Sequence, residues 1–390
     1  MEIKEKILDY IFENLDIFEN RENVEIKEVG DGNVNYIFRV KDDKKSVIVK
    51  FSDDYIRGST TRKLSSARSK IETEILNYQW KLSNGLVPEI YDYSEENSFI
   101  IMEDLSDYKV LRESIKLKEI YKGFGKEVAK FLYNTLFKTT DLVMNIKEKK
   151  ETVARFVNYD MCEISERLVF TEPYMNNQGL NSFTESNRDF IEQNVVNNKK
   201  LILEVAKLKL QFMTNSESMI HGDLHSGSIF INSNGIKVFD PEFAFYGPMG
   251  YDIGNILASL IISYNVSFFE NNYTENDFTE WLKQSILEIV SEFKKIYKEN
   301  SLNDVNTYMF KNEKFLEYYL NKILRDTAGY AGTEIIRRTV GVAKVIDIDR
   351  VKNHDGYKDV ERKLLSTGID LILNSDKYID SEVYKKMLEI

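Results

Sequence analysis

The sequence predicts an α+β protein of two lobes, with a five-stranded antiparallel sheet and a helix in residues 1–105 and a mainly α-helical lobe in residues 106–390. Three observations lead there. At 390 residues the chain exceeds the roughly 250 to 300 residues that one hydrophobic core serves. Alternating apolar residues broken by turn signals fill the first hundred positions, and helical periodicity fills most of the remainder.

Composition bounds the rest. Apolar residues at 42% and aromatics at 12% suffice for packed cores and argue against wholesale disorder. A net charge of −11 makes the surface repel nucleic acid and anionic membranes, so neither is an expected partner and any phosphate chemistry needs a locally basic site. The single cysteine, Cys162, excludes an internal disulfide and a four-cysteine zinc site, and is expected to be a small core residue in a reducing compartment.

The opening residues mix acids with lysines and carry no long apolar run, so they read as an amphipathic helix with Ile3, Ile7, Leu8, Ile11 and Leu15 on one face, not as a signal peptide. The longest uncharged run, 253–269, contains Asn255, Ser259, Ser263, Asn265 and Ser267, which suits a buried helix better than a membrane span. A soluble, cytoplasmic protein is expected.

In the first lobe Val24 and Ile26 open a strand that breaks at Gly30-Asp31-Gly32. Val34, Tyr36, Phe38 and Val40 alternate in a second strand, and Val47 to Lys50 form a third. Two readings stand for Gly30 and Gly32: a hairpin turn, or a loop whose N–H groups lie over nucleotide phosphates. Two also stand for Lys50: a surface lysine, or the cation on the phosphates, since it ends the third strand. From Thr61 a helix is expected, with Leu64, Ile71, Ile75, Tyr78 and Leu82 on its apolar stripe, and Glu72 or Glu74 is placed to pair with Lys50. Strands at 86–93 and 98–102 complete the sheet. Met102-Glu103-Asp104-Leu105 then leaves as a hinge against adenine, or as a plain connector.

Beyond it, Ile115, Ile120, Phe124, Val128, Phe131 and Leu136 mark one long helix. Helices are also expected at 201–212, 281–297 and 315–350, with a loop at 176–198. No repeat of 20 to 50 residues is present, which disfavours a solenoid.

Residues 219–255 concentrate the chemistry. They hold two of three histidines and two of four prolines, with Asp223, Asp240, Glu242 and Asp252 among them. A short strand at 218–220, a loop at 221–228 and a hairpin about Asn234-Gly235 are expected to bring Asp223 near Asp240. Phosphoryl transfer needs an oriented hydroxyl and neutralised phosphate charge. Asp223 fits the base, and Asp240 with Glu242 the hard-oxygen ligands of Mg²⁺. His221 and His225 have zincin spacing, but Gly222 and Gly227 oppose the helix that spacing requires, so hydrogen bonds bracing the loop are expected. Asp252 reads as a cap or brace. Arg337 and Arg338 interrupt a small, apolar helix. Either they serve the active site or they form structural ion pairs, and their 100° separation opposes a shared ligand.

The stretches H-G-D-L-H-S-G-S-I-F from 221 and D-P-E-F-A-F-Y-G-P-M-G-Y-D-I-G from 240 resemble the 5-methylthioribose kinases, a branch of the protein-kinase-like fold shared with aminoglycoside phosphotransferases and choline kinases. Ser228 and D-P-E stand where related kinases carry asparagine and D-x-D or D-F-G. The resemblance continues through 30–38, 101–106, 162–173 and 331–341. It implies Mg²⁺- and ATP-dependent phosphorylation of the 1-hydroxyl of 5-methylthioribose, in methionine salvage, by a homodimer. Nucleotide contacts are then implied for Gly30, Gly32, Asn33, Lys50, Glu72, Met102, Glu103 and Leu105. Metal ligation is implied for Asp240 and Glu242, and substrate contacts for Asn35, Asp223, Arg337 and Arg338. The family's Trp-Pro pair is missing from residues 58–64, so no contact is assigned there. An aminoglycoside or choline kinase is the nearest alternative, and a nucleotide-binding pseudokinase a more distant one.

Overall fold

A computed structural model of the chain describes residues 2–29, 36–52, 67–342 and 345–389. By internal packing the chain forms two units, Met1–Tyr108 with Lys237–Glu242, and Lys109–Ile236 with Phe243–Ile390.

The first unit is built on β1 (Glu25–Glu28), β2 (Tyr36–Lys41), β3 (Ser46–Phe51), β4 (Ile90–Ser94) and β5 (Phe99–Glu103). They pair antiparallel throughout, in the order β1-β2-β3-β5-β4. The period-two pattern explains this sheet, because Phe38, Val40, Val47 and Val49 all fall on its buried face. Against that face the helix Glu2–Asn14 lays Ile7, Leu8 and Ile11, with Ile3 and Leu15 partly buried beside them. The fourth strand is shorter than the expected 86–93. Pro88 interrupts it, and the Leu86 carbonyl instead accepts the Val238 N–H at 2.8 Å, drawing the distant segment Lys237–Glu242 into this unit.

In the second unit β7 (Ser218–Ile220) pairs with β10 (Phe245–Gly247), and β6 (Lys109–Val110) with β8 (Ile229–Asn232); β9 (Gly235–Val238) follows β8 in sequence and runs on into the segment Lys237–Glu242 of the first unit. Three helical expectations are corrected. The helix expected through 115–136 is two, Leu111–Lys116 and Phe124–Leu136, because Lys118 and Gly123 take positive φ (56° and 79°) and turn the chain between them. The expected loop at 176–198 contains helical turns at Glu185–Asn187, Arg188–Ile191 and Glu192–Val196, where Ile191 and Val195 are buried. The helix expected over 315–350 runs from Glu313 to Val340 and resumes at Ile346–Val351, with Gly341 at the break.

The uncharged run at 253–269 lies in the helix Met249–Glu270. It is long and apolar enough to cross a bilayer, but is largely buried by the protein itself. Its Gly254 faces the backbone of Thr327 and Ala331, where a Cβ would come within 2.7 Å of the Ala331 nitrogen. This close crossing sets the helix Glu313–Val340, which carries Arg337 and Arg338, against the helix that carries Asp252.

Candidate active site

The expected site residues fall into two clusters, one in each unit. In the first, β3 delivers Lys50 with its side chain buried, and the helix Ala67–Ser83 delivers Glu72, also buried. Glu72, and not Glu74, is the partner: both its oxygens lie 2.7 Å from Lys50 Nζ, which also donates to Asp240 Oδ1 at 2.7 Å. Burial alone would favour neutral Lys50. The carboxylates of Asp240, Glu72 and Glu242 outweigh it and hold the ammonium well above its usual range.

Asp240 has φ 65°, a left-handed conformation that costs a non-glycine residue roughly 1 to 2 kcal/mol and that aspartate tolerates better than most. Its carboxylate remains 42% exposed while Lys50 is nearly enclosed. One lysine therefore meets three carboxylates, an excess of hard, negative oxygen that suits a divalent cation. No group of three or more ligating side chains occurs among the described residues, so phosphate oxygens and water would have to complete such a cation's shell.

Met102 and Glu103 close β5, and Leu105 is buried just beyond. The Glu103 N–H donates to the Glu89 carbonyl at 2.8 Å and its carboxylate accepts from Lys237 at 2.8 Å, so part of this connector is already committed within the unit. Gly30, Gly32, Asn33, Asn35 and the 58–64 segment lie outside the described residues.

The second cluster is the loop after β7. Asp252 is buried in the first turn of its helix and accepts the N–H groups of His221 (2.6 Å) and Gly222 (3.0 Å), which makes it the expected brace. Gly222 has φ +83°, and a Cβ there would run into the carbonyl of Phe243. The loop can thus make its turn before Asp223 only with glycine. Gly222→Ala is expected to cost about 2 to 4 kcal/mol of stability, from the unfavourable φ together with the clash. Denaturant unfolding checks it, and a loss under about 0.5 kcal/mol would mean the loop has room to move.

Ser228 caps the same loop. Its hydroxyl accepts the His225 N–H at 2.9 Å and reaches the carbonyls of Asp223 and His225 at 3.0 Å. The loop is a series of bends and turns, and both histidines make hydrogen bonds within it. His221 Nδ1 accepts the Asp223 N–H at 3.3 Å, and His225 Nε2 lies 3.3 Å from Asp223 Oδ2.

Arg337 and Arg338 do what their angular separation seemed to forbid. Both guanidiniums reach Asp223 Oδ1, at 3.5 and 3.3 Å, and both pair with the buried Glu334, at 2.5 and 2.7 Å. Long side chains bend back along the helix, so one carboxylate a turn earlier gathers both. The geometry shows the ion-pair reading of these arginines, with Glu334 and Asp223 as the carboxylates they share. Burial pushes the Asp223 carboxyl upward, but the His225 N–H and the guanidiniums of Arg338 and Arg337 prevail and hold it well below the usual carboxylate range.

Sequence reasoning missed two members of this cluster. Glu334 was legible in principle, since E-I-I-R-R places it three and four residues before the arginines. Arg112 was not. It comes from the helix Leu111–Lys116 and donates to His225 Nδ1 at 3.0 Å. Arg112, Arg337 and Arg338 thus gather around Asp223 and Glu334, with Asp347 close to Arg112.

A family model described as "Phosphotransferase enzyme family" matches residues 159–281. Methylthioribose kinase of Bacillus cereus (strain AH187) is 35% identical over 381 residues, 95% of this chain and 93% of its own. The chain belongs to the methylthioribose kinase family. The methylthioribose kinase of Bacillus thuringiensis (strain Al Hakam) is similar to it at 34% identity over the same shares. Among solved structures, the Plasmodium vivax ethanolamine kinase aligns with 96% of this chain and 89% of its own at 14% identity, with a TM-score of 0.50. That likeness speaks for the fold alone, and it agrees with the expected kinase-like α+β architecture.

Cys162 takes no part. It is half-buried, and burial pushes its thiol up to about 12, which leaves it inert as a nucleophile.

Proposed function

We propose that the protein transfers the γ-phosphoryl group of ATP to the 1-hydroxyl of 5-methylthioribose, giving 5-methylthioribose 1-phosphate and ADP as a cytoplasmic step of methionine salvage, and that it works as a homodimer. The observation that carries this reading is the convergence of Arg337 and Arg338 on Asp223 in a chain of this family. Paired arginines beside the acceptor site suit neither a cationic choline nor a polycationic aminoglycoside.

In the proposed chemistry the sugar hydroxyl oxygen forms a bond to the γ-phosphorus as the bond from that phosphorus to the bridging oxygen breaks. Asp223 orients the hydroxyl and accepts its proton late. Arg337 and Arg338 offset the negative charge gathered on the transferring group and on the sugar oxygen. Lys50, fixed by Glu72, contacts the α- and β-phosphates, with Gly30, Gly32 and Asn33 covering them and the backbone of Met102, Glu103 and Leu105 meeting the adenine edge. Asn35 joins the substrate contacts. Asp240 and Glu242 would hold Mg²⁺, which when bound would supply charge neutralisation to the phosphates.

ADP release should be measured with methylthioribose, choline and an aminoglycoside as acceptors. Methylthioribose is expected to be the productive one, and Lys50→Met to lower kcat by roughly 10² to 10³. Turnover confined to choline or aminoglycosides would sink the substrate assignment, and an undiminished Lys50→Met rate would remove that lysine from the phosphate site.

A further inference from the structure

His225 touches Asp223, so its protonation state decides what the base can do. Two donors converge on its Nδ1: the Gly227 backbone N–H at 2.8 Å and the Arg112 guanidinium at 3.0 Å. Neither group can accept a hydrogen bond. Nδ1 must therefore present its lone pair, and the single ring proton of neutral His225 must sit on Nε2, 3.3 Å from Asp223 Oδ2. We propose that Arg112 and His225 form a positioning pair for Asp223, with Arg112 locking the ring as the Nε2–H tautomer so that its one N–H is donated to the base.

Three local features build the lock. The Arg112 backbone N–H donates to the Ser226 carbonyl at 2.9 Å, which ties the start of its helix to the loop. Gly227 leaves room for the pair, since a Cβ there would lie 2.6 Å from both Arg112 Cζ and His225 Cε1 and would push the two side chains from this arrangement. Burial and the neighbouring Arg338 hold the Arg112 guanidinium below its usual range, against the buried Asp347 and Asp223, which favour the cation.

Two consequences follow. A second proton on His225 would have to enter Nδ1 against a guanidinium and an N–H, and burial adds to that penalty; Asp223 pulls the other way, and the ring is held below its usual range. His225 therefore has no free nitrogen with which to carry a proton away from Asp223, so it positions the base without relaying for it. Arg112 hydrogen-bonds the ring and is also a cation near Asp223, but its hydrogen-bonded route to the base runs through His225.

The kinetic half of the test rests on the reading of Asp223 as the residue that orients the acceptor hydroxyl; the spectroscopic half does not. The chain has three histidines, so ¹⁵N spectra of the full-length protein can be assigned with His354→Gln and His225→Gln variants. His225 should show a pyridine-like Nδ1 and a pyrrole-like Nε2 that do not titrate between about pH 6 and 8. In Arg112→Met the two signals should move toward an average and begin to titrate in that window, while kcat falls roughly tenfold with both KM values unchanged. Arg112→Lys, which keeps a donor, should recover most of both. A wild-type ring protonated on Nδ1, spectra indifferent to Arg112→Met, or altered spectra with an unaltered kcat would each overturn the proposal. A locked tautomer in a protein inactive on methylthioribose would support the lock and fail the substrate reading instead.

Discussion

Asp223→Asn is expected to lower kcat by roughly 10² to 10⁴ while leaving the KM for nucleotide nearly unchanged. The substitution preserves size, but it swaps a charge for a neutral amide at the point where Arg337 and Arg338 converge on Oδ1 and His225 on Oδ2. On the proposed function, the acceptor hydroxyl then loses the carboxylate that orients it. A carboxylate held so far below its usual range is a weak base, which is compatible with a loose transition state in which the alcohol proton departs late. Orientation and charge, more than basicity, set the size of the effect. The same depression has a sign that can be tested. Because its folded-state pKa is lowered, Asp223 stays ionised as pH falls past the ordinary aspartate value, so kcat should show no limb from this group between about pH 5 and 8. An acidic limb centred near 4 to 5 in the wild type, absent from D223N, would contradict the arrangement of cations around it.

Much of the fold was legible because the patterns that encode it are local. Period-two alternation fixed β2 and β3, and turn residues fixed the hairpin of β8 and β9. Errors arose where one residue's backbone overrode a periodic run, as at Lys118 and Gly123, or where asparagines hid buried Ile191 and Val195. The candidate site divides the same way. Asp223, Asp240 and Glu242 stand out because rare residues crowd one stretch, and Lys50 because it falls near the end of the third strand. Arg112 and its partner His225 are 113 residues apart, and only the packing of a one-turn-and-a-half helix against the loop brings them together. No spacing rule reaches that far.

Glu334→Gln is expected to destabilise the protein by about 3 to 5 kcal/mol, although it changes a single oxygen to an amide. Glu334 is buried and its two oxygens serve both guanidiniums, to Arg337 Nε and NH2 and to Arg338 Nε. Burial alone would raise its pKa, yet the arginines hold it lowered, so the site contains a true buried carboxylate between two cations. Without that charge, two desolvated guanidiniums lose the buried carboxylate that both share, while Asp223, which is partly open to solvent, stays beside them. Urea unfolding measures the loss, and a change under about 1 kcal/mol would show that water or Asp223 already compensates. Adding Arg338→Met to Glu334→Gln should then recover part of the loss, because it removes one of the stranded charges, giving a coupling of about 1 kcal/mol or more. Activity should not recover with it. A stability gain that leaves kcat low would mean that the buried Arg-Glu-Arg cluster is held at an energetic disadvantage for the sake of two cations aimed at Asp223, because well-packed apolar side chains of similar volume can be at least as stable as a buried ionic triad.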